Sequence, residues 1–168
     1  MRRTLVIFAK EPKKDKVKTR LLNYLSSSQC LSLYKAFLKD TIDLANNTPC
    51  EERILAYESN TKPEYLKRIV PHFTFYKQKG NTLGIKMYNA FKFAKKNGAC
   101  KTIVIGSDSP TLPPGSIQTA FCLLDKNDIV VGPSQDGGYY LIGMKKPVFG
   151  LFKQIKWSSN QVLADTIR

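Results

Sequence analysis

Short apolar runs alternate with amphipathic segments along most of this chain, and this alternation constrains its fold more than any other feature. The runs with strand character are residues 4–9, 53–57, 73–76, 102–105, 129–132 and 139–143. Apolar residues repeat at three-to-four spacing between them, which predicts helices over 31–45, 83–94 and 117–124. Strands that alternate with helices need crossover connections. We therefore expect an α/β protein in three layers (α/β/α), with a mainly parallel sheet covered on both faces.

The dipeptide Asp136-Gly137 lies between the last two apolar runs. Asp-Gly between apolar segments is typical of a β-hairpin, so we expect one antiparallel strand in the sheet, which makes it a mixed sheet. The chain has 168 residues, and its sequence contains no repeat, no low-complexity segment and no linker. We therefore expect a single domain over residues 1–168.

The charge balance indicates which partners to consider. Lys and Arg outnumber Asp and Glu by 27 to 13, a net charge of +14, which favours nucleic acid, a membrane surface or a phosphorylated small ligand. No known nucleic-acid-binding module is present, and no apolar run approaches the ~20 residues of a membrane span. No pair of the four cysteines has zinc-knuckle spacing, which fits a reducing compartment. We expect a soluble cytoplasmic protein for which nucleic acid is not the favoured partner, and a solvated basic surface without a partner is the alternative.

The first candidate site is the loop after the first strand. Residues 10–20 hold five lysines and one arginine, which supply point charges and a bidentate fork suited to phosphates. The loop has no glycine and is not a P-loop. An exposed basic loop without function is the alternative.

Two carboxylates follow other predicted strands, at the edge of the sheet where open parallel sheets bind ligands. Asp108, within residues 106–110, can hold Mg²⁺ or can simply form a turn. Asp136, within residues 132–143, is a second candidate metal ligand, although the hairpin turn alone would explain it. A further segment, residues 78–84, opens a helix and offers backbone donors to a base or a phosphate.

Taken together and in this order, these segments resemble a known family. The matching stretches are residues 8–12, 17–21, 78–84, 106–110, 132–143 and 157–158. They resemble the glycosyltransferase-like family of small bacterial and archaeal proteins of the arsenosugar-biosynthesis or cell-wall-biogenesis type. That family belongs to the nucleotide-diphospho-sugar transferase superfamily and is related to the phospholactate and molybdenum-cofactor guanylyltransferases.

The resemblance implies a nucleotide-diphospho-sugar transferase (GT-A) fold, with Mg²⁺ or Mn²⁺ as cofactor. Lys18, Arg20 and Asp108 are then the catalytic residues, and Asp108 holds the metal together with Asp136. The implied nucleotide-binding residues are Lys10, Pro12, Lys18, Arg20, Gln78, Gly80, Leu83, Gly84, Ser107 and Asp108. The implied acceptor side consists of Asp136, Gly137, Gly138 and Tyr139.

Two residues depart from the family pattern. Asp15 stands where glycine is usual, and a negative charge that pointed into the loop would weaken phosphate binding. Lys86 stands where arginine is usual, which removes a bidentate fork. Family members also generally continue beyond the position of Arg168, so we expect a domain shortened at its C-terminus.

The resemblance therefore predicts a metal-dependent transferase with a nucleotide donor and a small-molecule acceptor. Sugar transfer from a nucleotide-sugar is the favoured reaction. Nucleotidyl transfer from a nucleoside triphosphate, with release of pyrophosphate, stays open. The third hypothesis is a non-enzymatic nucleotide- or RNA-binding protein, which the charge of +14 and Asp15 favour.

Overall fold

The computed structural model describes residues 1–113 and 115–168. Within them, six strands form one sheet in the order β3-β2-β1-β4-β6-β5. The strands are β1 (Arg3–Lys10), β2 (Glu52–Glu58), β3 (Thr74–Lys77), β4 (Lys101–Gly106), β5 (Ile129–Pro133) and β6 (Tyr139–Met144). The helices are α1 (Ser27–Asn46), α2 (Glu64–Ile69), α3 (Leu83–Lys96), α4 (Ser116–Lys126) and α5 (Val162–Ile167), with 3-10 turns at Thr19–Leu21 and Phe149–Phe152.

The sheet is mainly parallel, as predicted. β1 pairs in parallel with β2 and β4, and β2 pairs in parallel with β3. β6 runs antiparallel to both of its neighbours, β4 and β5. The hairpin expected near residue 136 is therefore confirmed, and its returning strand lies between β4 and β5.

Alternate residues of β1 point to opposite faces of the sheet and divide the core in two. Leu5 and Ile7 pack on the face covered by α1, α2 and α4. Val6 packs on the other face, against α3 and the turn around Phe152. All four side chains are buried. Because each face buries its own set of apolar side chains beneath helices, the predicted three-layer arrangement is confirmed.

The two longest helices begin at side chains that satisfy their first backbone donors. Ser26 precedes α1, and its Oγ accepts a hydrogen bond from the Gln29 N–H while the Gln29 side chain accepts one from the Ser26 N–H. This reciprocal pair is a capping box. Thr82 precedes α3 and accepts from the Ile85 N–H. The apolar periodicity therefore located both helices, and polar caps determine where they start.

One helix was missed in the sequence, which showed only a polar stretch between β2 and β3. α2 occupies Glu64–Ile69. Its first donors are satisfied from a distance, because the buried carboxylate of Glu11 accepts from the Tyr65 and Leu66 N–H groups at 2.8 and 3.3 Å. Glu11 is thus a cap for α2 that anchors the start of the basic loop. None of the helices in the described residues is long and apolar enough to cross a membrane.

Candidate functional site

The carboxyl ends of four parallel strands meet at one edge of the sheet, and the predicted site residues gather there. Lys10 ends β1, Glu58 ends β2, Gln78 follows β3, and Asp108 lies just past β4. The β5–β6 turn lies at the same edge, because Leu141 near the start of β6 pairs with Ile105 at the end of β4.

Two adjoining cavities open at this edge. The first, called here the basic cavity, measures about 720 Å³. Its polar and charged lining includes Lys10, Lys18, Thr19, Arg20, Glu58, Gln78, Ser107 and Asp108. The second, called the aromatic cavity, measures about 640 Å³. Its lining includes Met87, Ser134, Asp136, Gly138, Tyr139, Tyr140, Trp157, Ser158, Ser159 and Asn160. The two share Phe8, Arg20, Leu83, Gly106 and Asp108, so they form one continuous cleft.

Lys18 faces Asp108 across the basic cavity. Its Nζ lies 3.0 Å from Asp108 Oδ1, and its side chain is only 16% exposed. The same ammonium lies 4.4 Å from the centroid of the Phe37 ring on α1, within cation–π range. Val17, which directly precedes Lys18, is buried in the core and anchors the loop. Lys18 itself has a left-handed backbone with φ 51°. These contacts hold the loop and the carboxylate against each other.

Tyr34 on α1 connects the two sides of the basic cavity. Its hydroxyl accepts a hydrogen bond from the Lys10 N–H at 2.7 Å, donates to the Lys10 carbonyl at 3.0 Å, and lies 3.4 Å from Ser107 Oγ. Burial raises the pKa of this phenol above its ordinary value, so it is neutral at physiological pH. Tyr34 belongs to the periodic apolar face predicted for the helix over 31–45, and that pattern gives no sign of this role.

Glu58, at the end of β2, is a charged residue of the site that was not predicted from the sequence. Its carboxylate lies 2.8 Å from Lys86 Nζ and 3.6 Å from Lys10 Nζ. The hydrogen bond from Lys86 is the main cause that holds the pKa of Glu58 below its ordinary value. An acid directly after an apolar strand was the available signal, the same one that identified Asp108. Lys86, which stands where the resemblance predicts arginine, is thus a partner of Glu58.

Asp15, the other departure from the family pattern, is accommodated by the loop. Its backbone is left-handed with φ 60°, a conformation that suits glycine and that Asp adopts more readily than most residues. The side chain is exposed and is not among the described residues that line the two cavities. Its charge therefore does not point into either cavity.

Asp136 lines the aromatic cavity and also builds the β5–β6 turn. Its Oδ1 accepts a hydrogen bond from the Ser134 hydroxyl and another, at 3.1 Å, from the Gly138 N–H. These bonds, the Ser134 bond first, lower the pKa of Asp136, so the carboxylate is ionised at neutral pH. Gly137 has φ +82°, and a Cβ there would lie 2.1 Å from the Asn160 carbonyl oxygen. Gly137 therefore packs against the chain around Asn160 instead of lining a cavity.

The 78–84 segment divides into residues that face the cleft and residues that shape it. Gln78 lines the basic cavity, and its Nε2 donates to the Ala56 carbonyl at 2.8 Å. Leu83 lines both cavities and is 46% exposed, which leaves an apolar surface at their junction.

Two glycines of the same segment serve packing. Gly80 has φ +128° and no room for a Cβ beside Ile85. A Cβ on the buried Gly84 would lie 2.7 Å from Cζ2 of Trp157, so glycine lets the indole approach α3. Gly80, Gly84 and Pro12 are not among the described residues that line the two cavities.

The carboxylates of the cleft suit a cation that arrives with phosphates. Asp108 and Asp136 both line the aromatic cavity. In the described part of the chain, no three His, Cys, Asp or Glu side chains gather as a metal-binding cluster. Mg²⁺ typically uses one or two carboxylates and completes its octahedron with water and substrate phosphate oxygens. Asp108 and Asp136, which lie beside the basic side chains of the cleft, are a donor set of that kind.

Solved structures identify the class to which this fold belongs. A provisionally named nucleotide-diphospho-sugar transferase from Desulfovibrio desulfuricans G20 is 31% identical, with a TM-score of 0.92 over 99% of this chain and 74% of that chain. The 4-diphosphocytidyl-2C-methyl-D-erythritol synthase from Anaerococcus prevotii DSM 20548 is 13% identical, with a TM-score of 0.63 over 99% of this chain and 84% of that chain. Rv0371c from Mycobacterium tuberculosis H37Rv is 17% identical, with a TM-score of 0.62 over 94% of this chain and 79% of that chain. Another structure of Rv0371c is a complex with manganese. The fold is that of the nucleotide-diphospho-sugar transferases, which confirms the predicted GT-A-like class.

Residues 41–159 match the family described as "Uncharacterized protein conserved in bacteria (DUF2064)", and the chain belongs to this family. No curated protein matches the sequence. The narrower arsenosugar or cell-wall type stays a prediction.

Proposed function

We propose that this protein is a metal-dependent transferase that moves a sugar from a nucleotide-sugar to a small-molecule acceptor. The observation that carries the proposal is the position of Asp108, 3.0 Å from Lys18, where the basic loop and the end of β4 close one cleft. The phosphates of a nucleotide would lie between a cation on Asp108 and the facing basic side chains once the Lys18–Asp108 ion pair opens. The name of the 31% identical structure supports the donor class.

Lys10, Lys18 and Arg20 form the phosphate side of the proposed site. In sugar transfer, the bond between the anomeric carbon and the diphosphate oxygen breaks, and its electron pair stays on the diphosphate. The acceptor oxygen bonds to the same carbon and its proton passes to solvent. Positive charges already fixed in place stabilise the charge that grows on the leaving group. Contacts with Asp108 and Phe37 place the Lys18 ammonium in advance.

Asp108 and Asp136 would hold the divalent cation. When bound, Mg²⁺ or Mn²⁺ supplies Lewis-acid stabilisation of the leaving diphosphate. Asp108 shares one carboxylate oxygen with Lys18 before the nucleotide arrives. Release of that ion pair would free the Lys18 ammonium for a phosphate.

The nucleoside would lie at the junction of the two cavities. Leu83 offers an apolar surface for the base, while Gln78 and Ser107 offer polar groups on the side of the basic cavity. Gly80 and Gly84 would act indirectly, by allowing the tight backbone and the close approach of Trp157.

The reaction type can be read from the leaving group. We expect incubation with nucleotide-sugars and Mg²⁺ to release a nucleoside diphosphate. Nucleoside triphosphates should give no pyrophosphate under the same conditions. Release of pyrophosphate would instead show that the site catalyses nucleotidyl transfer and not sugar transfer.

The metal role is tested by calorimetry with a nucleoside diphosphate in Mg²⁺ or in chelator. Asp108→Ala should abolish the metal-dependent part of binding. Asp40→Ala is the matched control, because this exposed carboxylate on α1 lines neither the basic nor the aromatic cavity. Equal affinity with chelator and with Mg²⁺ would refute the metal role. Binding that ignores Asp108→Ala and falls steeply with salt would instead favour a non-enzymatic nucleotide or RNA binder.

A further inference from the structure

Lysine and aromatic side chains meet on the outer face of α3 and on the 3-10 turn that follows β6. The ring centroid of Tyr88, on α3, lies 5.0 Å from that of Phe149, in the turn. Lys92 Nζ lies 5.5 Å from the Tyr88 ring centroid, and Lys153 Nζ lies 5.2 Å from the Phe149 ring centroid. These four side chains therefore form one continuous surface that joins the helix to the turn.

Neighbouring residues extend this surface at both ends. Lys96 follows Lys92 by one turn of α3, and both side chains are exposed. Val148, which directly precedes Phe149, is 40% exposed, and Phe149 is 41% exposed. The whole set, called here the lysine–aromatic surface, consists of Tyr88, Lys92, Lys96, Val148, Phe149 and Lys153.

The lysine–aromatic surface carries positive charge that the surrounding chain does not neutralise. Residues 83–96 and 145–156 contain four lysines each and no Asp or Glu. Among the ion pairs of the described residues, none includes Lys92, Lys96 or Lys153. Their ammonium groups therefore face solvent and can meet an anionic partner.

The mixture of exposed apolar groups and lysines indicates the chemistry of that partner. On a membrane, anionic headgroups attract lysines, while apolar side chains enter the boundary between headgroups and acyl chains. A nucleic acid would meet the same charge, but it offers no apolar phase for the aliphatic Val148. The surface also has no arginine, the residue that binds phosphates with a bidentate fork. An anionic lipid surface therefore fits better than a nucleic acid.

We propose that the lysine–aromatic surface docks on a membrane surface that contains anionic phospholipids. Val148 and Phe149 enter the interface, and Lys92, Lys96 and Lys153 face the headgroups. None of the six residues lines the basic or the aromatic cavity. The inference therefore goes beyond the proposed function and does not depend on it.

The charge contribution is tested by co-sedimentation with sucrose-loaded vesicles at near-physiological salt. The vesicles contain phosphatidylcholine alone or an equal mixture of phosphatidylcholine and phosphatidylglycerol, and we expect binding to the mixture only. The double variant Lys92→Gln/Lys153→Gln should weaken binding to the mixed vesicles by about 25-fold, about five-fold for each lysine.

The matched control for charge is the double variant Lys62→Gln/Lys67→Gln. It removes the same charge from two exposed lysines, one just before α2 and one within it. α2 packs on the opposite face of the sheet from α3. Binding to the mixed vesicles should therefore change by less than about three-fold.

The apolar contribution is tested with Val148→Ser in the same assay. Binding to the mixed vesicles should weaken by about four-fold, the equivalent of one methylene group removed from water. Leu123→Ser is the control, because Leu123 is 47% exposed on α4, on the opposite face of the sheet from α3. Its binding should equal that of the wild type. Urea unfolding of each variant verifies that it is folded.

Four results would overturn the inference: no binding to the mixed vesicles, equal binding to both kinds of vesicle, equal losses in the two double variants, or unchanged binding of Val148→Ser. A single-stranded oligonucleotide provides the remaining comparison. If its binding requires Lys92 and Lys153 while vesicle binding does not, the surface binds nucleic acid instead. None of these results bears on the nucleotide calorimetry, which tests the proposed function separately.

Discussion

Tyr34→Phe is a sharp test of how the basic cavity is held together. The substitution keeps the buried ring on α1 and removes only the hydroxyl that bonds both backbone groups of Lys10, at 2.7 and 3.0 Å. No void is created, so the cost comes from two lost hydrogen bonds and their unpaired partners. At about 0.5–1.5 kcal/mol for each net hydrogen bond, we expect the free energy of unfolding to fall by about 1–3 kcal/mol.

The measurement is urea unfolding of the wild type and the variant at neutral pH, with an unchanged dependence on urea. Tyr24→Phe is the control, because Tyr24 is 84% exposed, and its effect should stay within about 0.5 kcal/mol. A Tyr34→Phe loss no larger than that of the control would show that the Lys10 backbone does not depend on this hydroxyl.

The same pair of proteins should also differ at alkaline pH. Burial raises the folded-state pKa of Tyr34 above its ordinary value of 10.0. Below pH 10.0 the hydroxyl is protonated in both the folded and the unfolded state, so its stabilisation is fully present. As the pH rises above 10.0, the Tyr34 hydroxyl ionises first in the unfolded chain. The stabilisation therefore decreases progressively and stops decreasing only when the pH exceeds the folded-state pKa. The difference in unfolding free energy between wild type and Tyr34→Phe should therefore shrink above pH 10.0. A constant difference would contradict this reasoning.

Three further substitutions test contacts outside the cleft or at its wall. Glu11→Ala removes the acceptor for two N–H groups of α2 and should lower the free energy of unfolding by about 1–2 kcal/mol in urea unfolding, whereas an effect below about 0.5 kcal/mol would contradict the cap. Gly84→Ala places a Cβ 2.7 Å from the Trp157 ring; it should cost about 1–3 kcal/mol and change the tryptophan emission, so an unaltered spectrum would argue against the contact. The hydrogen bond from the buried Lys101 lowers the pKa of Asp125 below its ordinary value of 3.8. The contribution of this pair to the free energy of unfolding is therefore present above pH 3.8, and it is lost as the pH falls through the folded-state pKa of Asp125. The difference in free energy of unfolding between wild type and Asp125→Asn should therefore disappear at low pH. A difference that persists at low pH would refute the link between this ion pair and stability.

The strands and the long helices could be predicted because their burial is periodic. Leu5, Val6 and Ile7 belong to a run that packs on both faces of the sheet, and such a run reads as a buried strand. α2 was missed because its cap, Glu11, lies more than 50 residues earlier in the chain. A local pattern cannot show a helix that is stabilised from a distant loop.

The same distinction separates the site residues that were predicted from those that were missed. Asp108 and the basic loop are visible because charges follow strand ends, and strand ends meet at one edge of the sheet. Tyr34 was not predicted because a tyrosine on the apolar face of a helix gives the same sequence pattern whether or not its hydroxyl makes hydrogen bonds. The packing role of Gly84 was also hidden, because the indole of Trp157 that it accommodates comes from a segment far along the chain.

The two cavities share five lining residues, but the rest of their walls comes mostly from different stretches of polypeptide. The basic cavity draws its lining from residues 8–108, whereas most of the aromatic cavity comes from residues 134–162. The later stretch is tied together by the Leu163 N–H, which donates to the Gly137 carbonyl at 2.9 Å. Substitutions confined to residues 134–162 would therefore alter the aromatic cavity while the lining of the basic cavity stays unchanged. In this arrangement, one half of the cleft can change in evolution while the other half stays the same.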